Sequence, residues 1–237
     1  MSISQKAIQD FQLRQIPSAQ KFRYMGVKLT DDGEAGIAGL TTRAQNLKRV
    51  CEKALSEVKH TGENILRIHG DRTIDDAART IRAGNLAKKA LQGVKEAFDR
   101  EALAAVDEMN DMRQRLAKTW QPPSSAGQAQ LDAELRALLR TMPDADRANA
   151  VRNDPELAAA AARGHHALSG LPKEAHQSIR AAYAARVEPD LAAQAADLER
   201  AIWGANEALG SLNDDLTSIS DMQSAEALQR GSTADLA

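Results

Sequence analysis

Cysteine occurs once in this chain, at Cys51, so no disulfide can form within it, which fits a reducing compartment. Aromatic residues are nearly as scarce: three Phe, two Tyr and two Trp make up 3% of the 237 residues. Proline and glycine are sparse, alanine is abundant and 27% of residues are charged. That composition excludes a β-sandwich or an ordinary α/β enzyme and belongs to long helices. No apolar run approaches the roughly 18–20 residues of a membrane span. The first residues carry charges and glutamines where a secretory leader needs an apolar stretch, so a soluble cytoplasmic product is expected.

Catalytic signatures are missing as well. There is no P-loop, no G-x-G-x-x-G after a strand, no G-x-S-x-G and no H-E-x-x-H. Cys51 falls on an apolar helical stripe and reads as a small buried residue, without the exposure and basic neighbour of a nucleophile. His165, His166 and His176 lack the carboxylate or cysteine that would complete a metal spacing. They follow Gly164, where histidines help to finish a helix. His60 and His69 are expected in solvent. Asp31, Asp32 and Glu34 flank Gly33 as a turn, without the further ligands of a calcium loop. The acidic run Asp107, Glu108 and Asp111, opposed by Arg113 and Arg115, reads as a solvated helix face. The expectation is a non-enzymatic protein with no cofactor and no metal.

What the sequence does have is helical periodicity. Leu40, Ala44, Leu47, Cys51, Ala54, Val58, Thr61, Ile65 and Ile68 step by alternating four and three, predicting one helix over about 41–68. His69-Gly70-Asp71-Arg72 breaks it, and Thr73 with Asp76 resembles a capping box. Residues 74–120 contain no proline. Leu91, Phe98, Met112, Leu116 and Trp120 fall roughly on one face of a second helix, with a bend allowed at Gly84-Asn85. A short turn makes the two helices antiparallel. Residues 121–128 (QPPSSAGQ) form a linker. A second helical region follows over 129–223, punctuated by Pro143, Asp154-Pro155, Gly164 and Leu171-Pro172. It ends in a long helix opened by Glu188-Pro189-Asp190. That helix has its own four-three seam of Leu191, Ala195, Leu198, Ile202, Ala205, Leu209, Leu212, Leu216 and Ile219. Residues 224–237 read as a disordered tail. The fold class is therefore all-α: a long antiparallel hairpin over 40–120 and a second helical region. Seam residues such as Leu47, Val58, Ile65, Leu91, Phe98, Leu198, Ile202, Leu209 and Leu216 need a covering surface, from one another or from neighbouring copies.

Residues 1–39 stand apart as an arm and a glycine-rich loop. FQLRQIPSAQKFRY, residues 11–24, holds Phe11, Phe22 and Tyr24, three of the seven aromatics. Residues 3–16 can make a short helix ending before Pro17. Interleaved with Arg14, Lys21 and Arg23, the aromatics suit a docking arm, since aromatics and arginine are what interface cores are built from. Such an arm could reach a neighbouring subunit or tuck onto the chain's own helices. The same residues could contact phosphates and stack on bases, the basis of an alternative reading as a coiled-coil adaptor or regulator that binds nucleic acid. Charge is also uneven. Residues 1–120 carry 21 Lys and Arg against 16 Asp and Glu, and residues 121–237 carry 10 against 17. Opposite halves can attract each other or join copies head to tail.

Residues 135–203 contain LRALLRTMPDADRANAV, NDPELAAAAARGHHALSGL and EAHQSIRAAYAARVEPDLAAQAADLERAI. This cadence of MP-x-x-x-R, DPE-LAAA, LSGL and R-x-x-Y resembles small helical proteins encoded among the structural genes of tailed bacteriophages. The resemblance implies a virion or assembly component that oligomerises and contacts other structural proteins. The position of Trp120, on the hairpin or at an interface, stays open.

Overall fold

A computed structural model describes residues 41–234. Phe11, Arg14, Phe22, Arg23, Tyr24 and the loop at 26–39 lie outside the described residues. Those described fold as helices with no strand among them. They divide into two compact units, 41–107 with 197–234, and 108–196. The parting points fall inside helices rather than at the 121–128 linker expected to separate domains, because the end of the last long helix packs with the first two.

The first unit starts with α1 (Thr42–Gly70), capped by Thr41, whose Oγ1 accepts from the Ala44 N–H at 3.2 Å. Its buried side holds Ala44, Leu47, Cys51, Ala54, Val58, Thr61 and Ile65, the stripe the four-three spacing predicts. Asp71 closes the turn that follows, accepting from the Thr73 N–H at 2.9 Å. The helix α2 (Asp76–Ala117) is capped by Asp75, which accepts from the Ala78 N–H at 2.8 Å, rather than by Thr73. The two helices run antiparallel: Arg43 near the start of α1 stands 3.6 Å from Glu101, while Arg79 donates to the His69 and Asp71 carbonyls at the turn.

The last long helix, labelled α8 (Pro189–Ser220), brings Leu212, Leu216 and Ile219 into one core with Val58, Ile65, Ala83 and Ala87. Its seam departs from the expected steps. Between Leu198 and Leu212 the buried positions are Ala201, Gly204, Ala205 and Ala208, whereas Ile202 and Leu209 are only half-buried. A helix with about 3.6 residues per turn drifts against a seven-residue repeat, and small alanines allow the closest approach. Leu91 packs at the edge of the core and Phe98 is buried.

The helix α2 runs on through Gly84-Asn85, and the tail expected to be disordered from 224 instead forms α9 (Met222–Ala234). One contact accounts for this: a Cβ on Gly84 would run into the Ala225 Cβ, so glycine there admits α9. Lys88 donates to Glu226 at 2.9 Å and Gln229 to Asn85 at 3.0 Å. The hinge into α9 is Asp221, left-handed at φ 44°, with its carboxylate accepting from the Ser224 N–H, a conformation aspartate tolerates better than most residues.

The second unit takes in the last turns of α2 from Glu108 and a single 3₁₀ turn at Lys118–Trp120. It holds α3 (Ala126–Thr141), α4 (Asp144–Asn153), α5 (Pro155–Arg163), α6 (His166–Ser169), α7 (Lys173–Val187) and the first turns of α8. Ser125 caps α3, so the linker is shorter than QPPSSAGQ. Asp154 caps α5 with Pro155 in its first turn, as the sequence predicts. Leu139, Val151, Leu157, Ala161 and Leu171 form one core. Trp120 packs on a second, against Met112, Leu116, Ala184 and Leu191. That answers where Trp120 belongs.

Candidate functional site

Several titratable side chains of the second unit face helix ends. The carbonyl end of α5 collects donors from three side chains. Arg136 donates to the Ala160 carbonyl at 3.1 Å, and Arg180 to those of Ala162 at 2.8 Å and Gly164 at 3.1 Å. His176, only 4% exposed, places Nε2 3.1 Å from the Ala161 carbonyl and 3.0 Å from that of Gly164. Arg163 pairs with Asp132, which is 1% exposed, and donates to the Tyr183 hydroxyl at 3.1 Å. At the end of α3, Arg147 donates to the Leu139 and Met142 carbonyls, each at 2.8 Å, and to the Gly170 carbonyl.

Burial pushes the His176 imidazole below its ordinary pKa and Arg180 pushes it further, against the pull of the two carbonyls. A neutral ring that donates from Nε2 fits this place. His165 accepts from the Ala167 N–H and starts α6. The histidines thus punctuate helices, as their position after Gly164 suggests, and no group of three or more His, Cys, Asp or Glu among the described residues is placed to hold a metal. His69 departs from the solvated position expected of it. It is half-buried, with burial lowering its pKa beside the Ile219 carbonyl, Arg79 and Asp221. Cys51 is buried and its thiol is pushed up to about 11.

The residues of the MP-x-x-x-R, DPE-LAAA, LSGL and R-x-x-Y cadence are the ones that tie these helix ends. Arg147 bonds back to Met142 and across to Gly170, Asp154 caps α5, Arg180 closes it and Tyr183 receives Arg163. The cadence therefore has a structural job in this chain.

Among the described residues, two grooves are open to a partner. A groove of about 560 Å³ runs between α1 and α2 in the first unit, over Ala54, Ala90, Gly93 and Val94. A smaller one, about 300 Å³, lies between α4, α5 and α7 in the second unit, flanked by Arg152 and Arg186. Outside both, Trp203 on α8 is 69% exposed and Leu103 on α2 is 66% exposed. Trp203 escaped the seam analysis because it sits one residue past Ile202, on the outer side. The signal was a tryptophan out of register with the seam and with no apolar residue three or four positions away. The seam residues Leu47, Val58, Ile65, Leu198 and Leu216 are buried within the first unit and present no outward face.

No helix among the described residues is long and apolar enough to cross a membrane. The chain matches no protein-family profile, and searches of curated proteins and of solved structures returned no similar chain.

Proposed function

We propose that the chain is a non-enzymatic helical assembly protein that works through helix-to-helix contacts with further copies and other structural proteins. Trp203 carries the reading. The sequence spends seven aromatics in all, and one of the two tryptophans stands mostly in solvent, on a helix whose other side is fully used. Exposed tryptophan is the residue type that anchors protein interfaces. The inward-facing chemistry of the second unit supports the same view, since Arg136, Arg147, Arg180 and His176 are spent on helix-end carbonyls. The phage-like cadence of residues 135–203 supports a tailed-phage virion or assembly component as the finer assignment. In it Phe11, Arg14, Phe22, Arg23 and Tyr24 of the N-terminal arm are further docking residues.

Light scattering at several concentrations tests this. We expect a mass above that of one chain, reduced by Trp203→Ala with the helical signal unchanged. A single-chain mass at all concentrations, in the native protein and the variant alike, removes self-assembly from the proposal.

A further inference from the structure

We propose that the groove between α4, α5 and α7 receives Trp203 of a second copy of this chain. The inference rests on the assembly reading above and names the two surfaces that meet. The groove has the composition of an interface core. Val151 and Leu171, both buried, line it with half-buried Ile179. Ile179, Tyr183 and Arg186 follow by four and three along one side of α7, and Arg152 comes from α4. Tyrosine and arginine are the residue types that meet a tryptophan anchor at interfaces. At about 300 Å³ the groove matches the smallest pockets that hold a ligand, which suits one large side chain.

Charge selects the occupant. Arg152 and Arg186 are exposed on two different helices, and the described residues lining the groove include no Asp or Glu. The groove is thus positive within a half of the chain, 121–237, that carries 10 Lys and Arg against 17 Asp and Glu. The larger groove between α1 and α2 mixes Lys53, Lys89 and Arg100 with Glu57 and Glu101, and has no such preference.

Trp203 brings the matching chemistry. It is 69% exposed, and Glu199 and Glu207 stand four residues before and after it on α8, both exposed as well. One side of the helix therefore presents an indole between two carboxylates about 12 Å apart along the axis. Arg200, the cation of that neighbourhood, donates to Asp197. Once seated, the indole covers Val151 and Ile179, a guanidinium can lie on its face, and the carboxylates meet the arginines at the rim. Burial of the indole supplies the attraction, and charge fixes which partner enters and in what orientation. The two surfaces are different patches of one chain, so every copy offers both. Contacts of that kind join copies head to tail, until a ring closes or a filament grows.

Photo-crosslinking of the full-length protein tests this, with benzoylphenylalanine in place of Trp203. The protein is mixed in equal parts with the same protein carrying heavy isotopes and left to exchange before illumination. We expect adducts on peptides containing residues 148–158 or 171–186, with light joined to heavy as often as like to like. Adducts elsewhere overturn the seat, and groove adducts confined to one isotope overturn its occupation by a second copy. Charge reversal tests the pairing. Arg152→Glu with Arg186→Glu in one protein, and Glu199→Arg with Glu207→Arg in another, should each raise the concentration needed for assembly by about tenfold or more. An equal mixture of the two should restore assembly, because each reversed surface then meets its complement. No loss in either, or loss that mixing does not rescue, overturns the pairing. Assembly that survives reversal of the groove but is lost in Trp203→Ala overturns the seat and leaves the assembly reading standing. A single-chain mass for the native protein overturns both.

Discussion

The two units reach stability by different routes. The first is built from α1, α2 and the end of α8, long helices whose backbones bond internally and whose seams supply Val58, Ile65, Leu216 and Ile219 to a shared core. The second puts five helices between Ala126 and Val187. Each helix end leaves about four carbonyls or N–H groups without an internal partner, so short helices multiply unsatisfied groups for the same number of residues. The second unit answers with long cationic side chains: Arg136, Arg147, Arg180 and His176 all donate to helix-end carbonyls. In the first unit, Arg79 at the turn between α1 and α2 has the corresponding place. Helix length thus decides whether arginine serves the surface or the fold.

One pair of substitutions breaks the comparison open. Leu216 is fully buried in the first unit, and Leu216→Ala should cost about 3–4 kcal/mol through lost transfer energy and the cavity left behind. Arg147 is 9% exposed, and Arg147→Ala should cost about 2–4 kcal/mol, mainly because it strands the Leu139, Met142 and Gly170 carbonyls. Denaturant unfolding gives the totals and amide exchange gives the location. Faster exchange should gather in α1, α2 and the end of α8 for the first variant, and in α3–α7 for the second. A cost below about 1 kcal/mol for Arg147→Ala would show that water replaces the guanidinium without loss, contrary to the capping account.

This contrast also governs what could be read from the sequence. The α1 stripe was legible throughout because a long helix with one buried side writes its period into the residues, from Ala44 to Ile65. The start of α5 was legible because Asp154 and Pro155 act on the adjacent turn. The roles of Arg136, Arg147 and Arg180 were not, since an arginine on a short helix looks the same whether it meets water or a carbonyl many residues away. Gly84 and α9 failed for a related reason. The local cost of glycine and of QRGSTADLA shows in the sequence, but the fit of Ala225 against Gly84 that offsets it is tertiary. The larger groove was equally hidden, because it is a lack of side chain at Gly93 and Ala90, and Trp203 was visible only as an apolar residue out of register.

Gly84 and Gly93 sharpen the comparison within one helix. Both sit in α2, where replacing glycine by alanine gains about 1 kcal/mol from backbone entropy alone. Gly93→Ala has open space and should be neutral to stabilising. Gly84→Ala must displace Ala225 and with it the Lys88–Glu226 and Asn85–Gln229 contacts. Overpacking of this kind costs about 1–3 kcal/mol, so the second variant should fall below the first by at least ~1 kcal/mol in unfolding free energy. Equal stabilities would mean that α9 does not rest on Gly84, and would return residues 222–234 to the tail the sequence suggested.

The smallest effect separates the units by pH. Burial lowers the pKa of His176 in the second unit and of His69 in the first, so the unfolded chain binds protons more readily than the folded one at both positions. Stability is then fully present above the ordinary histidine value and falls as pH drops from about 7.5 to about 5.5, the unfolded state taking up protons first. The carboxylates held low, Asp71 by Thr73 and Glu226 by Lys88, stay ionised across that window and do not blur it. His176→Gln keeps a donor for the Ala161 and Gly164 carbonyls but removes the titration. Exchange in α5–α7 should then lose part of its pH dependence, corrected for the intrinsic chemistry of exchange, while the turn around His69 keeps its own. A slope unchanged in α5–α7 would mean that His176 carries its proton in the folded chain, which two carbonyls could accept but the nearby Arg180 opposes.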